Sequence, residues 1–319
     1  MRGLRSQIVT SLSSTQDFIF LHNITSSLWG HAGLQPPFIA GADELRNMDV
    51  FLAHLPSTVL AAATFHLYGS CGHDPRHNHS FPNVSAPGFA LQPACLSREK
   101  DIVSAMAVVR GHPGTQGIVG ESALTGGGGA DGVTNAFVSS MWYADWLAFA
   151  AKSGVSAVLR ETLVGGYYGL LNHSTLMPHP DTFAMALFNR LMGPRVLSAH
   201  VQRGPDDATT MLRVYAHCHK GPTPGVTVLL VNLASEAAFS VSLALAHSAK
   251  QVWRLQSAGG DIHAKTATLN GVPLALAPGA RVLPAMPGAP LPADSPVWVP
   301  RASVTFVLLA GKDAAAACS

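Results

Sequence analysis

Hydrophobic positions follow one period up to about residue 195 and another beyond it. In the first stretch, QDFIFLHNITSSLW (16–29) sets Phe18, Leu21, His22, Leu28 and Trp29 near helical spacing and predicts an amphipathic helix. A turn with a short buried strand follows at 36–41, then a helix at 48–55 and an apolar strand at 58–68 that closes on His66-Leu67-Tyr68. A loop rich in Gly, Pro, His and Asn runs from 69 to about 93. The pattern next gives a helix over 97–110 with Ser97 as its N-cap. A short apolar strand at 117–121 ends in Glu121, and a helix at 134–152, a strand at 155–160 and a helix at 181–192 follow. Strand then helix, repeated with strands that do not alternate, predicts a parallel sheet covered on both faces.

Beyond 195 the strands 212–217, 226–232, 238–243, 250–255 and 304–309 read as alternating, with Gly- and Pro-rich turns between them. That grammar predicts a β-sandwich. The expected fold class is therefore α/β plus all-β, with a barrel-like domain at 1–195 and a sandwich domain at 196–319.

Composition narrows the class. A chain of 319 residues with 48% hydrophobic and 12% charged positions can build two real cores, and it excludes disordered, collagen-like and coiled-coil readings. The net charge of +2 gives no general field for nucleic acid or an anionic membrane surface. The longest apolar runs, 59–65 and 304–310, fall well short of the about 18 to 20 residues that cross a bilayer. The basic N-terminus, MRGLRSQIVTSLSSTQDF, lacks the apolar block of a secretory signal. Yet four of the nine Asn open glycosylation sequons, Asn23, Asn78, Asn83 and Asn172, and with four Cys they point to the secretory pathway.

Chemistry gathers at strand ends. Glu121 is one of only five Glu and sits where the strands of α/β barrels present catalytic groups. In Thr64-Phe65-His66-Leu67-Tyr68, His66 and Tyr68 alternate, so both point to one side of their strand. Arg160-Glu161 adds a charged pair at the end of the next strand. A lone His66 would more often be a hydrogen-bonded structural residue; three converging strand ends change that balance. Gly120-Glu121-Ser122-Ala123-Leu124 is not a serine-hydrolase elbow, because its last position is Leu. The run Gly126 to Gly129 lacks the Lys-Ser/Thr of a phosphate loop and reads as a backbone loop that approaches a ligand closely. Cys71, His73, His77 and His79 match no standard zinc spacing, and neither does His217-Cys218-His219. Neither a metal nor a cofactor is expected.

Several of these segments resemble a known family. IVGES around Glu121, GVTNAFVSSMWYADWL, RETLVGGYYGLLNHSTLMPHPD and NRLMG, with RVYAHC at 213–218 and the closing AAAACS, look like the heparanase-like β-glucuronidases of glycoside hydrolase family 79, the plant branch more than the animal one. The resemblance runs from about residue 16 to the end and is strongest between Gly117 and Gly193. It implies a TIM barrel followed by a β-sandwich, and hydrolysis of a glucuronide bond with retention. Retaining glycosidases use two carboxylates about 5 Å apart, one a nucleophile and one an acid/base. Glu121 matches the family nucleophile, and His66 and Tyr68 match its His-x-Tyr after the sixth strand. Gly127 and Gly128 match the loop that contacts the uronate carboxylate. Tyr168, with Gly166 beside it, matches a Gly-x-Tyr contact after the eighth strand. The position after Arg160, usually Gln in the family, is Glu161 here. Cys218 and Cys318 match the family disulfide, which leaves Cys71 and Cys95 as a second candidate bridge.

The family's proton donor is the Glu of an Asn-Glu pair on the fourth barrel strand, and this sequence contains no Asn-Glu. Its first readable helix corresponds to the one after that strand. The resemblance thus implies the C-terminal half of a TIM barrel, N-terminally truncated, whose acid and signal peptide are missing and whose open edges disfavour folding alone. Arg76, Arg110 and Arg160 do not form the basic cluster a highly sulfated chain requires, so a glucuronidated polysaccharide or arabinogalactan-type glycan is the expected partner. The expected location is secreted, lysosomal or vacuolar, or associated with the wall or the membrane periphery. The competing readings are a non-catalytic carbohydrate-binding pseudoenzyme and a stand-alone structural β-sandwich.

Overall fold

The computed structural model describes residues 2–43, 45, 47–69, 99–202, 211–277 and 279–319, with side chains from Ser14 onward. Four strands pair in parallel and in chain order: β1 (Ala40–Ala42), β2 (Ala62–His66), β3 (Gln116–Ser122) and β4 (Ala157–Arg160). The run Ala62, Ala63, Thr64, Phe65 of β2 is buried throughout, so the strand has no solvent face to demand polar residues. This explains its unalternating sequence.

Three helices accompany the sheet: α1 (Arg2–His31), α2 (Met48–Ala53) and α3 (Glu99–Arg110). In α3 the residues Ile102, Ala105, Met106 and Val109 recur at helical spacing and are all buried, while Val103 on the opposite side is half exposed. The expected N-cap Ser97 lies outside the described residues. Helix α1 is longer than its apolar pattern predicts, and that pattern is only partly buried. Phe18 meets Phe51 of α2 edge-on, with ring centroids 5.4 Å apart. Leu21 and Leu28, expected on the buried face, are exposed. Thr15 and Thr25 are buried instead, and the Thr25 hydroxyl donates to the Leu21 carbonyl at 2.8 Å. No helix among the described residues is long and apolar enough to cross a membrane.

A second set of elements is antiparallel. Strands β5 (Met192–Leu197), β6 (Leu212–His219), β7 (Gly225–Asn232), β9 (Ala249–Ser257), β10 (Ala267–Leu269), β11 (Val272–Leu274) and β14 (Ser303–Ala310) order as β11-β10-β9-β14-β7-β6-β5, and β12 (Ala289–Leu291) adds to β9. Strands β8 (Phe239–Val241) and β13 (Val297–Val299) form a separate pair. Leu212, Val228, Leu230, Val252 and Val307 from the large sheet share one core with Val297 and Val299 of β13. The other face of the sheet meets α4 (Phe137–Lys152) and α5 (Pro180–Leu191). Asp145 of α4 accepts hydrogen bonds from Arg213 and Tyr215 of β6, and Phe188 of α5 packs edge-on against His217.

The expectation of alternating strands therefore fails for β7 and β14. All eight β7 residues and seven of eight in β14 are buried, because apolar neighbours cover both faces. The short helix α6 (Lys312–Ala316) leads to Cys318, which is joined to Cys218 of β6 by a disulfide with 5.6 Å between Cα atoms. Cys71 and Cys95 lie outside the described residues.

By compactness the elements form two units. One holds β1–β4 with α1, α2 and α3; the other holds α4, α5, α6 and all the antiparallel strands. A division near residue 195 follows secondary-structure type. Compactness instead assigns α4 and α5 to the antiparallel unit, because their buried faces lie on its sheet.

Candidate active site

In the parallel unit, four polar residues meet at the C-terminal ends of three strands. The β2–β3 register shifts after Phe65↔Val119, so that His66 pairs with Glu121 and Gly120 is the extra residue of a bulge. Such a bulge re-aims the side chain that follows it. The Leu67 amide donates to the Glu121 carbonyl at 3.0 Å and continues the pairing past the bulge.

This register brings the three expected groups together. The Tyr68 hydroxyl donates to Glu121 Oε2 at 2.5 Å, and His66 Nδ1 lies 3.3 Å from the same oxygen. The two donors sit two residues apart on β2 and its extension and reach one carboxylate, as their alternation requires. The Glu121 side chain is 37% exposed and that of His66 33%, so the carboxylate stays open to a ligand. Both contacts fall on Oε2, and Oε1 takes part in neither.

A fourth group had no place in the sequence reading. Asp43 follows β1 directly, and its Oδ1 lies 3.1 Å from His66 Nε2. The strand-end logic that singled out Glu121 applies equally to Ala-Gly-Ala-Asp at 40–43. The turn and short buried strand expected at 36–41 stop two residues before Asp43.

The remaining candidates belong to the antiparallel unit. Gly127, Gly128 and Gly129 all have positive φ, a conformation that favours glycine. The Tyr167 amide donates to the Gly128 carbonyl at 2.6 Å, and a Cβ on Gly166 would come within 2.4 Å of that oxygen. The glycine loop and the Gly166–Tyr168 segment are thus locked backbone to backbone, with Gly127 and Gly166 exposed. Glu161 is half-buried at the start of the segment leading to Tyr168.

Of the sequons, Asn23 is exposed on α1 and Asn172 is half-buried, its Oδ1 accepting from the amides of Ser174 and Thr175. Asn78 and Asn83 lie outside the described residues, as do His73, His77 and His79. His217 and His219 have structural partners: their Nδ1 atoms bond the Gly193 carbonyl at 2.7 Å and the Thr227 hydroxyl at 2.8 Å. Burial pushes the pKa of both below the usual histidine value.

A parallel α/β unit with a hydrogen-bonded carboxylate at a strand end, combined with an antiparallel unit, defines an α/β plus all-β class that includes glycoside hydrolases. The α-L-arabinofuranosidase of Thermotoga maritima shares this fold, with a TM-score of 0.60 over 91% of this chain and 61% of that one at 12% identity. Within that class the chain is a relative of the heparanase-like proteins. Heparanase-like protein 1 of Arabidopsis thaliana is 32% identical over 234 residues, 72% of this chain and 40% of the relative. Baicalin-β-D-glucuronidase of Scutellaria baicalensis is 29% identical over 306 residues, 93% of this chain and 55% of the relative. The chain thus spans about half the length of the curated relatives it matches. No family model matches.

Proposed function

We propose that the chain carries the nucleophile side of a retaining, heparanase-like β-glucuronidase site. The observation behind this is the pair of donors on one oxygen of Glu121, Tyr68 and His66, at the end of a parallel strand. Two donors on Oε2 stabilise the carboxylate charge and fix its plane, which directs Oε1 at the anomeric carbon. Attack by Oε1 forms the ester bond of a glycosyl-enzyme as the bond to the aglycone oxygen breaks. That oxygen takes a proton from an acid, which the family resemblance assigns to an Asn-Glu pair that this sequence does not contain. Water then hydrolyses the ester, with the same acid acting as base.

In this reading β1–β4 are the later strands of a TIM barrel and the antiparallel unit is a β-sandwich. Parallel pairing in chain order and the core shared by β13 and the large sheet support it. Gly127, Gly128, Gly166 and Tyr168 bind the uronate, and Glu161 borders it. The substrate is a glucuronic-acid-containing glycan. The protein works outside the cytosol, in a secreted, lysosomal or vacuolar, or wall- or membrane-associated setting consistent with its sequons and its disulfide.

The test uses 2,4-dinitrophenyl β-D-glucuronide, whose leaving group departs without protonation and so isolates the step that Glu121 performs. The chain is expected to release dinitrophenolate, and Glu121→Gln to lower that rate about a thousandfold or more. Release no faster than from Glu121→Gln would overturn the enzyme reading in favour of a carbohydrate-binding protein without turnover.

A further inference from the structure

Asp43 is the one charged group of the strand-end cluster to which the mechanism above gives no task. We infer that it is a positioning residue: it holds the imidazole of His66 so that Nδ1 stays on Glu121 Oε2. The inference rests on the reading of Glu121 as nucleophile.

The His66 ring lies between two carboxylates. Nε2 is 3.1 Å from Asp43 Oδ1, and Nδ1 is 3.3 Å from Glu121 Oε2. A neutral ring donates from one nitrogen only, whereas a ring that donates to both carries both N–H groups. A carboxylate on Nε2 therefore fixes the orientation of the ring that faces Glu121, as the outer partner of a functional histidine does elsewhere. With Asp43 removed, the ring can rotate away from the negatively charged oxygen.

Two local features hold Asp43 in place. Its backbone has φ 61°, an uncommon conformation for a non-glycine residue that Asp tolerates better than most. Its amide donates to the Thr64 hydroxyl of β2 at 3.0 Å, which anchors the turn to the strand that carries His66. The bulge residue Gly120 supplies the space. A Cβ there would lie 2.9 Å from Asp43 Oδ1 and 3.4 Å from His66 Cδ2, so any side chain at 120 would displace the carboxylate or the ring.

The plainer alternative is an exposed surface ion pair, since the Asp43 side chain is 54% exposed and such pairs contribute little to stability. The two alternatives predict different things. A surface pair moves neither the rate of the Glu121 step nor the signals of the His66 ring, whereas a positioning residue moves both and leaves substrate binding nearly alone.

The experiment compares Asp43→Ala, Asp43→Asn, Gly120→Ala and Glu121→Gln with the unaltered full chain, using 2,4-dinitrophenyl β-D-glucuronide. Asp43→Ala should lower the rate at which the first equivalent of dinitrophenolate is released about 10- to 100-fold, with the half-saturating substrate concentration within about threefold. Asp43→Asn, whose Oδ1 still accepts from Nε2, should recover part of the loss, and Gly120→Ala should lower the same first-turnover rate by displacing the carboxylate. In parallel, nitrogen-15 spectra of the His66 ring, identified by their loss in His66→Gln, should differ between the unaltered chain and Asp43→Ala. An unchanged first-turnover rate, or unchanged ring signals, in Asp43→Ala overturns the inference. If Asp43→Ala does not fold, Asp43→Asn and Gly120→Ala decide by the same two readouts. If the unaltered chain releases no dinitrophenolate, the nucleophile reading fails, and the ring spectra alone decide whether Asp43 sets His66.

Discussion

Tyr68 reaches Glu121 from outside the paired part of β2, three residues after the point where the register shifts. Its hydroxyl is one of two donors on Oε2, so Tyr68→Phe leaves that oxygen with His66 alone. On the activated glucuronide we expect the release of the first equivalent of dinitrophenolate to slow about tenfold or more, with the unfolding free energy changed by no more than about 1 kcal/mol, because a half-exposed hydrogen bond contributes little to folding. Single-turnover kinetics and urea denaturation of the same sample check both halves. The sequence made Glu121, His66 and Tyr68 legible because each is a polar group at the end of an apolar strand. Asp43 and Gly120 were not legible. One follows a strand of only three residues, and the other is a bulge, which exists only in the pairing of two strands and leaves no mark on either one.

At the scale of elements, α4 was readable as a long helix, but its surroundings were not. Its residues are buried on nearly every side, so no amphipathic stripe betrays which face meets the sheet. The informative residue is Asp145, 3% exposed, which receives Arg213 Nε and Nη2 at 3.0–3.2 Å and the Tyr215 hydroxyl at 2.7 Å. A carboxylate in an apolar helix needs such partners, and they come from a strand 68 and 70 residues further on. Asp145→Ala removes the carboxylate that Arg213 and Tyr215 bond and is expected to destabilise the chain by about 3 kcal/mol, read as a lower denaturation midpoint. The same long-range covering explains why β7 and β14 do not alternate. Periodicity reports how many faces of a strand are buried, not what buries them.

Across the whole molecule, stability should depend on pH through His217 and His219, which fix β6 against Gly193 and Thr227. Burial is the main cause that holds both below the ordinary histidine value of 6.5. Above that value the rings are neutral folded or unfolded and contribute no pH dependence. Below it the unfolded chain binds protons that the folded chain refuses, so stability falls with pH until the folded-state values are reached. Urea midpoints should be level between about pH 8 and 7 and decline from about pH 6.5 downward, and His217→Gln should flatten part of the decline. A midpoint that rises on acidification would contradict this.

The bridge from Cys218 to Cys318, 100 positions apart in sequence, turns β7 to β14 into a covalent ring. A protease that severs a turn between those strands therefore opens the ring without releasing a fragment. The two ends remain on one molecule, held by the sheet and by the sulfur bond. Wherever a protease reaches such a turn, what separates a nicked molecule from a dismantled one is the local supply of reducing thiols.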